Sequence, residues 1–335
     1  MKWKKLAAAA LCAAVVWGLA VSVRAMADYV QAVKAQAAAG VRTYAAPQAA
    51  AGGKADALLE RIKAAAPQYA EPPVDAVVDR VWHAIPGYNG VELDIERTYA
   101  AMRLLPEGAP IRPVLREIEP KVGLDDLGPH PIYRGNPKKR MAALMINVAW
   151  GNEHLPSMLE TLKAKNVRAT FFFDGSWLEK NETLARQIAE GGHELSNHAY
   201  SHPDMAKLGR NEQYRQIART EALLKEKLGV RDNKWFAPPS GSYNATTVRT
   251  AAQLGLKTVL WTVDTVDWKS PPPENIVAKI RRDAGPGSLI LMHPTASASA
   301  ALADMIDVLR SKGIEPGTVS RTLSTARVPP VEPAL

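Results

Sequence analysis

The chain has 335 residues, 47% of them hydrophobic, enough for one large domain plus a smaller appendage around a sizeable core. Its formal net charge of +8 falls to +4 once Lys2, Lys4, Lys5 and Arg24 are removed with the first 27 residues. No basic stripe interleaved with aromatics is present, so nucleic acid is not an expected partner. The only cysteine, Cys12, rules out an internal disulfide in the processed chain.

Residues 1–27 read as an export segment: three early lysines, an uncharged apolar run over 6–23, and Ala25-Met26-Ala27 as a small-x-small cleavage site. The run is also long enough to span a membrane, so the segment is a signal peptide or an uncleaved anchor. Either places the rest of the chain outside the cell, in the wall or on the outer face of the membrane, and only this segment meets lipid. Residues 28–72 are rich in Ala, Gln, Lys and Gly and read as a flexible stalk with one short helix over 56–63.

Residues 73–139 form a small α/β appendage. Alternation over 77–82 predicts a strand, and Pro86-Gly87-Tyr88-Asn89-Gly90 predicts a turn. Ile95, Tyr99 and Met102 predict a helix over 91–105, and residues 111–118 are extended. Glu92, Asp94 and Glu96 read as a solvated helix start rather than a metal patch. From 140 to 325, short apolar strands alternate with amphipathic helices. The strands fall at 143–149, 167–173, 193–196, 235–236, 257–262, 288–292 and 316–319. Seven strands with intervening helices imply an α/β fold with a parallel sheet, most economically closed into a barrel whose reactive residues sit at the strand ends.

His198 and His202 are four apart, which places two imidazoles on one side of a helical turn and suits tetrahedral zinc. His193-Glu194 followed by His198 is one residue too long for the HExxH pattern of zinc proteases. No GxSxG elbow, P-loop or dinucleotide fingerprint occurs.

Five segments appear in a telling order: Phe171-Phe172-Phe173, then Gly192-His193-Glu194-Leu195-Ser196-Asn197-His198 through His202-Pro203, then Trp235-Phe236-Ala237-Pro238-Pro239-Ser240-Gly241-Ser242-Tyr243-Asn244, then Trp261 through Asp267-Trp268, and last Leu289 through His293. Together they resemble the polysaccharide deacetylase (NodB homology) family over about residues 141–323. The resemblance implies a distorted (β/α)7 barrel that removes N-acetyl groups from a glycan such as peptidoglycan, using zinc or another divalent metal.

Carried over, it makes His198 and His202 metal ligands, His293 the general acid and Asp267 the carboxylate that tunes it. Trp268, Tyr243 and Pro239 fall on groove and wall positions, and Asn197 is placed to bond a sugar or orient a ligand. The first motif departs from the pattern. Where the family has Thr-Phe-Asp-Asp-Gly, this chain reads Asn147-Val148-Ala149-Trp150-Gly151, so Ala149 takes the place of the base and Trp150 that of a metal ligand. The orienting arginine is replaced by Ala237. The losses agree with each other, since that arginine would be an unpaired charge without its aspartate. Residues 145–153, the Pro86–Gly90 turn and Met292-His293-Pro294-Thr295 also resemble the YlxY-type subgroup.

Losing a general base forfeits about 10²–10⁴ in rate, roughly 3–5 kcal/mol of barrier. Three readings follow: a slow deacetylase; a catalytically dead glycan-binding or scaffold protein using Trp150, Tyr243 and Trp268; or a metal hydrolase of other substrates in which Glu153 or Asp174 substitutes for a lost aspartate.

Overall fold

A computed structural model describes residues 51–328; the expected export segment, Cys12 and the stalk up to residue 50 lie outside them. No helix of the described residues is long and apolar enough to cross a membrane. Helix α1 (Ala51–Ala65) outruns the short helix expected there. It forms because its apolar side has a partner: Ile62 is fully buried in a cluster with Leu93 and Met102. This part of the segment expected to be stalk is therefore folded.

The appendage is two antiparallel pairs and a helix. Strand β1 (Val77–Asp79) pairs with β2 (His83–Ile85), and β3 (Gly90–Leu93) with β4 (Leu115–Ile118). Helix α2 (Ile95–Met102) starts at Asp94, whose side chain accepts from the Arg97 amide. The helix expected from residue 91 thus begins later. Val91 and Leu93 are buried while Glu92 faces outward to an ion pair with Arg116, a period-two pattern fixed by pairing with a distant segment.

The larger part is a curled parallel sheet wrapped by helices. Its strands are β5 (Met141–Val148), β6 (Thr170–Phe173), β7 (Glu194–Asn197), β8 (Trp235–Phe236), β9 (Lys257–Thr258), β10 (Val263–Asp264), β11 (Leu289–Met292) and β12 (Glu315–Gly317). The order is β10-β11-β5-β6-β7-β8-β9, with β12 added beside the start of β5. Helices α3 (Leu155–Ala164), α4 (Gly175–Lys180), α5 (Glu182–Glu190), α6 (Arg210–Leu228), α7 (Ala245–Gln253), α8 (Pro273–Asp283), α9 (Ala296–Ser311) and α10 (Val319–Leu323) alternate with the strands.

Every residue of β5 is buried, and alternation sorts them onto two faces. Ala142, Leu144 and Ile146 pack in one cluster with Leu155 and Met158 of α3 and Met305 and Ile306 of α9. Ala143 and Met145 join Phe172, Trp235 and Leu289 in the barrel interior, which Val319 and Leu323 of α10 help to fill.

The strand expected over 257–262 stops at Thr258; the next strand, β10, begins only at Val263, and β9 and β10 lie at opposite edges of the sheet. The barrel therefore has a seam. The linker from the appendage runs into it: Ile132 donates to the Thr258 carbonyl, Leu260 donates to the Ile132 carbonyl, and Thr262 Oγ1 donates to the Tyr133 carbonyl. On the other side the Gly135 amide donates to the Gly287 carbonyl.

Candidate active site

The ends of β5, β7, β10 and β11 converge on a cavity of about 420 Å³, lined by Asn147, Ala149, Trp150, His198, His202, Ser240, Trp261, Asp264, Trp268, Leu291 and His293. Of the residues singled out from the sequence, Trp150, His198, His202, Trp268 and His293 are on its wall.

His198 directly follows β7 and is almost wholly buried. Its Nδ1–H donates to the Ala237 carbonyl at 2.7 Å, which leaves the Nε2 lone pair unused. Burial first, and the neighbouring His202 second, lower its pKa to about 3, so the ring is neutral. His202 lies with its ring centroid 5.2 Å from that of His198, edge to face. No helical turn joins the two. The connection is a loop in which Ala199 (φ 60°) and His202 (φ 53°) are left-handed.

Asn197 holds that loop. It is fully buried, its Nδ2 donates to the Ile217 carbonyl at 2.9 Å and to Glu221 at 2.7 Å, and its Oδ1 accepts from the Ala199 amide at 2.8 Å. With these bonds made, Asn197 braces the loop that carries His198, in keeping with the second of its two expected roles, orienting a ligand, and not with the first.

His293 follows β11 and is fixed by Asp267, which is fully buried. The His293 Nδ1 stands 2.9 Å from Asp267 Oδ1, and the His293 amide donates to Oδ2 at 2.6 Å. Thr295 Oγ1 also donates to Oδ2, at 3.3 Å. This is an oriented imidazole of the kind general acids use. The turn carrying Asp267 and Trp268 is flanked by Val266 (φ 57°) and Ser270 (φ 53°); a β-branched residue in that region marks stored strain.

The ring of Trp150 lies over His293, with centroids 6.0 Å apart and planes 8° from parallel. Trp150 is 47% and Trp268 53% exposed, the only tryptophans among the described residues that are so open.

The remaining expected residues lie elsewhere. Pro239 is buried, Tyr243 bonds the Tyr133 hydroxyl at 2.8 Å, and neither lines the cavity. Glu153 is solvated, its carboxylate 3.5 Å from His154. Asp174 is buried and caps α4, accepting from the Trp177 amide at 2.9 Å. Its carboxyl is pushed up, by burial above all. One of its oxygens, Oδ2, has no hydrogen-bond partner. Neither acid lines the cavity. Ser240, Asp264 and Trp261 also line the wall and were given no role from the sequence; their places at or just past strand ends are the signal by which they could have been found.

The relatives of the chain agree with this geometry. A family model described as Polysaccharide deacetylase matches residues 134–259. The uncharacterized protein YlxY of Bacillus subtilis is 41% identical over 273 residues, covering 82% of this chain and 85% of that one. The chain belongs to the polysaccharide deacetylase family. Among solved structures, a CE4 family pseudoenzyme from Bacillus anthracis is 41% identical with a TM-score of 0.75, over 81% of this chain and 96% of its own. A mutant of it with restored enzymatic activity matches with a TM-score of 0.75 at 40% identity, over 81% of this chain and 99% of its own. The peptidoglycan-N-acetylglucosamine deacetylase of Bacillus cereus is 34% identical over 200 residues, covering 58% of this chain and 72% of that one.

Deacetylases of this family generally use a divalent metal, and the residues here do not fit one. His198 and His202 offer two imidazoles, but among the described residues no third His, Cys, Asp or Glu joins them to make a metal-holding group. A tetrahedral catalytic zinc takes three protein ligands and an open position, so the histidine pair falls one ligand short.

Proposed function

We propose that the protein binds an N-acetylated cell-wall glycan of the peptidoglycan type in this cavity without hydrolysing it at an appreciable rate. The observation that carries this reading is Trp150 stacked on His293: an aromatic ring stands where a deacetylase needs charge. Three tryptophans line the cavity, and their faces suit the apolar faces of sugar rings, which need neither metal nor base. The Bacillus cereus relative acts on peptidoglycan N-acetylglucosamine, which supports the ligand class. The charged, apolar N-terminal segment supports a location in the envelope or outside the cell.

A second reading, a residual zinc-dependent deacetylase, draws on the intact His293–Asp267 pair. In that reading His198 and His202 hold the ion and Asp267 keeps His293 oriented to protonate the leaving amine. The two are separated by titrating the protein with chitotetraose with and without EDTA, alongside elemental analysis and an acetate-release assay. Binding that survives the chelator and is lost in Trp268→Ala supports the proposal. About one zinc per chain together with acetate release would overturn it.

A further inference from the structure

A strip of half-buried rings leads out of the cavity and onto the appendage. It starts at Trp261 on the cavity wall. Gly241 lies flat against that indole: a Cβ there would come within 2.8 Å of it, and φ is +67°, so the residue suits the contact for two reasons. Two positions on, the Tyr243 hydroxyl meets that of Tyr133 at 2.8 Å. The Tyr133 backbone is tied to Thr262, the neighbour of Trp261, through the 2.8 Å bond from Thr262 Oγ1. The ring of His83 stacks on Tyr133 with centroids 5.8 Å apart and planes 29° from parallel. Beyond it, the Arg134 guanidinium lies 5.5 Å from the centre of the Trp82 ring.

Two features of this strip go beyond packing. His83 sits at φ 54°, a backbone region that non-glycine residues rarely hold, and it does so where β2 begins beside Tyr133. Trp261, Tyr243, Tyr133 and His83 are also all half-buried, and the contacts just described join them one to the next, starting from the cavity wall. Partly exposed rings with polar edges suit a sugar, whose C–H faces pack on the ring while its hydroxyls reach the phenol oxygens.

We propose that Tyr133, Tyr243 and His83, linked to the cavity wall through Trp261, form a second sugar-binding subsite, so that the appendage holds the distal units of a chain of N-acetylhexosamines. This rests on the glycan-binding reading above and adds a length requirement to it. One stacked sugar is worth about tenfold in affinity.

The test is calorimetric titration of the full chain with chitobiose and with chitohexaose. The native protein should bind the hexaose at least about tenfold more tightly than the dimer. His83→Asn, which keeps a residue tolerant of positive φ, should remove that difference and leave chitobiose binding unchanged. Tyr133→Phe keeps the ring and should weaken the hexaose alone by a few-fold. Equal affinity for the two lengths in the native protein overturns the subsite while leaving the cavity reading intact. So does a His83→Asn loss shared equally by both lengths. Failure of both oligosaccharides to bind, or binding indifferent to Trp268→Ala, removes the cavity reading and the subsite with it.

Discussion

The indole of Trp150 and the imidazole of His293 lie nearly parallel, 6.0 Å between centroids, at the ends of two adjacent strands, β5 and β11. His293 is held by a buried carboxylate as a proton donor would be, yet the ring facing it carries no charge and binds no metal. One half of a hydrolytic site is kept in working geometry, and the other half has become an apolar surface.

If that division is right, restoring the lost carboxylates should restore the chemistry. The double variant Ala149→Asp/Trp150→Asp is expected to take up about one zinc per chain and to release acetate from chitooligosaccharides. Recovery of about 10²–10⁴ in rate is the contribution expected of a general base. Trp150→Ala alone should gain neither. The relative whose mutant has restored activity makes this a fair demand of the same scaffold. A double variant that folds, binds zinc and stays inactive would mean that Ala237, in place of the orienting arginine, matters as much.

Asn147 should read the acetamido group. It is 3% exposed on the cavity wall, and its Oδ1 has no hydrogen-bond partner in the protein. A buried acceptor left unpaired costs about 1–3 kcal/mol, which a ligand N–H would recover. Asn147→Leu is therefore expected to weaken chitotetraose binding by roughly tenfold or more while barely affecting its de-N-acetylated counterpart, as measured by calorimetry. Equal losses for both sugars would rule out this role.

Acid should loosen the fold earlier than its carboxylates alone would dictate. His193 is held at about 4, by burial first and then by Arg168, and His198 is held at about 3. Unfolded histidines titrate near about 6.5, so below that pH the unfolded chain takes up protons that the folded one refuses. Stability should thus fall as pH drops from about 6.5 towards 4, and these two rings should add no slope above about 7. Urea midpoints across this range test it, and His193→Gln should flatten the slope.

Ile62→Ala tests whether α1 is part of the fold. Emptying a fully buried site of this size costs about 2–5 kcal/mol. A urea midpoint unchanged from the native protein would show that α1 is only loosely docked and that the stalk reading extends further along the chain.

The barrel was legible because its strands are short apolar runs separated by amphipathic helices, and because three histidines sit just past strand ends. What local pattern hides is long-range pairing. Nothing near residue 91 announces that Gly90–Leu93 pairs with Leu115–Ile118, so a helix was expected there. The break between Thr258 and Val263 is invisible for the same reason, since hydrogen bonds from elsewhere place the two ends at opposite edges. At the site, residue type misled wherever a polar group was already spent. Asn197 was expected to bond a sugar or orient a ligand and Asp174 to stand in for a lost aspartate; one braces a loop and the other caps a helix. Tyr243 lies off the cavity wall, against Tyr133, and only that pairing across the linker shows where its ring stands.

The seam between β9 and β10 bears on cooperativity. A linker residue, Ile132, completes the hydrogen bonding there, and Ala84 of the β1–β2 hairpin shares its apolar cluster with the barrel interior. A fragment starting at Met141 would carry two unpaired strand edges and an unsealed core, a state prone to association. The region from Leu58 onward should accordingly melt in a single transition, with amide exchange in β9 no slower than in Ile132, because neither can open without the other.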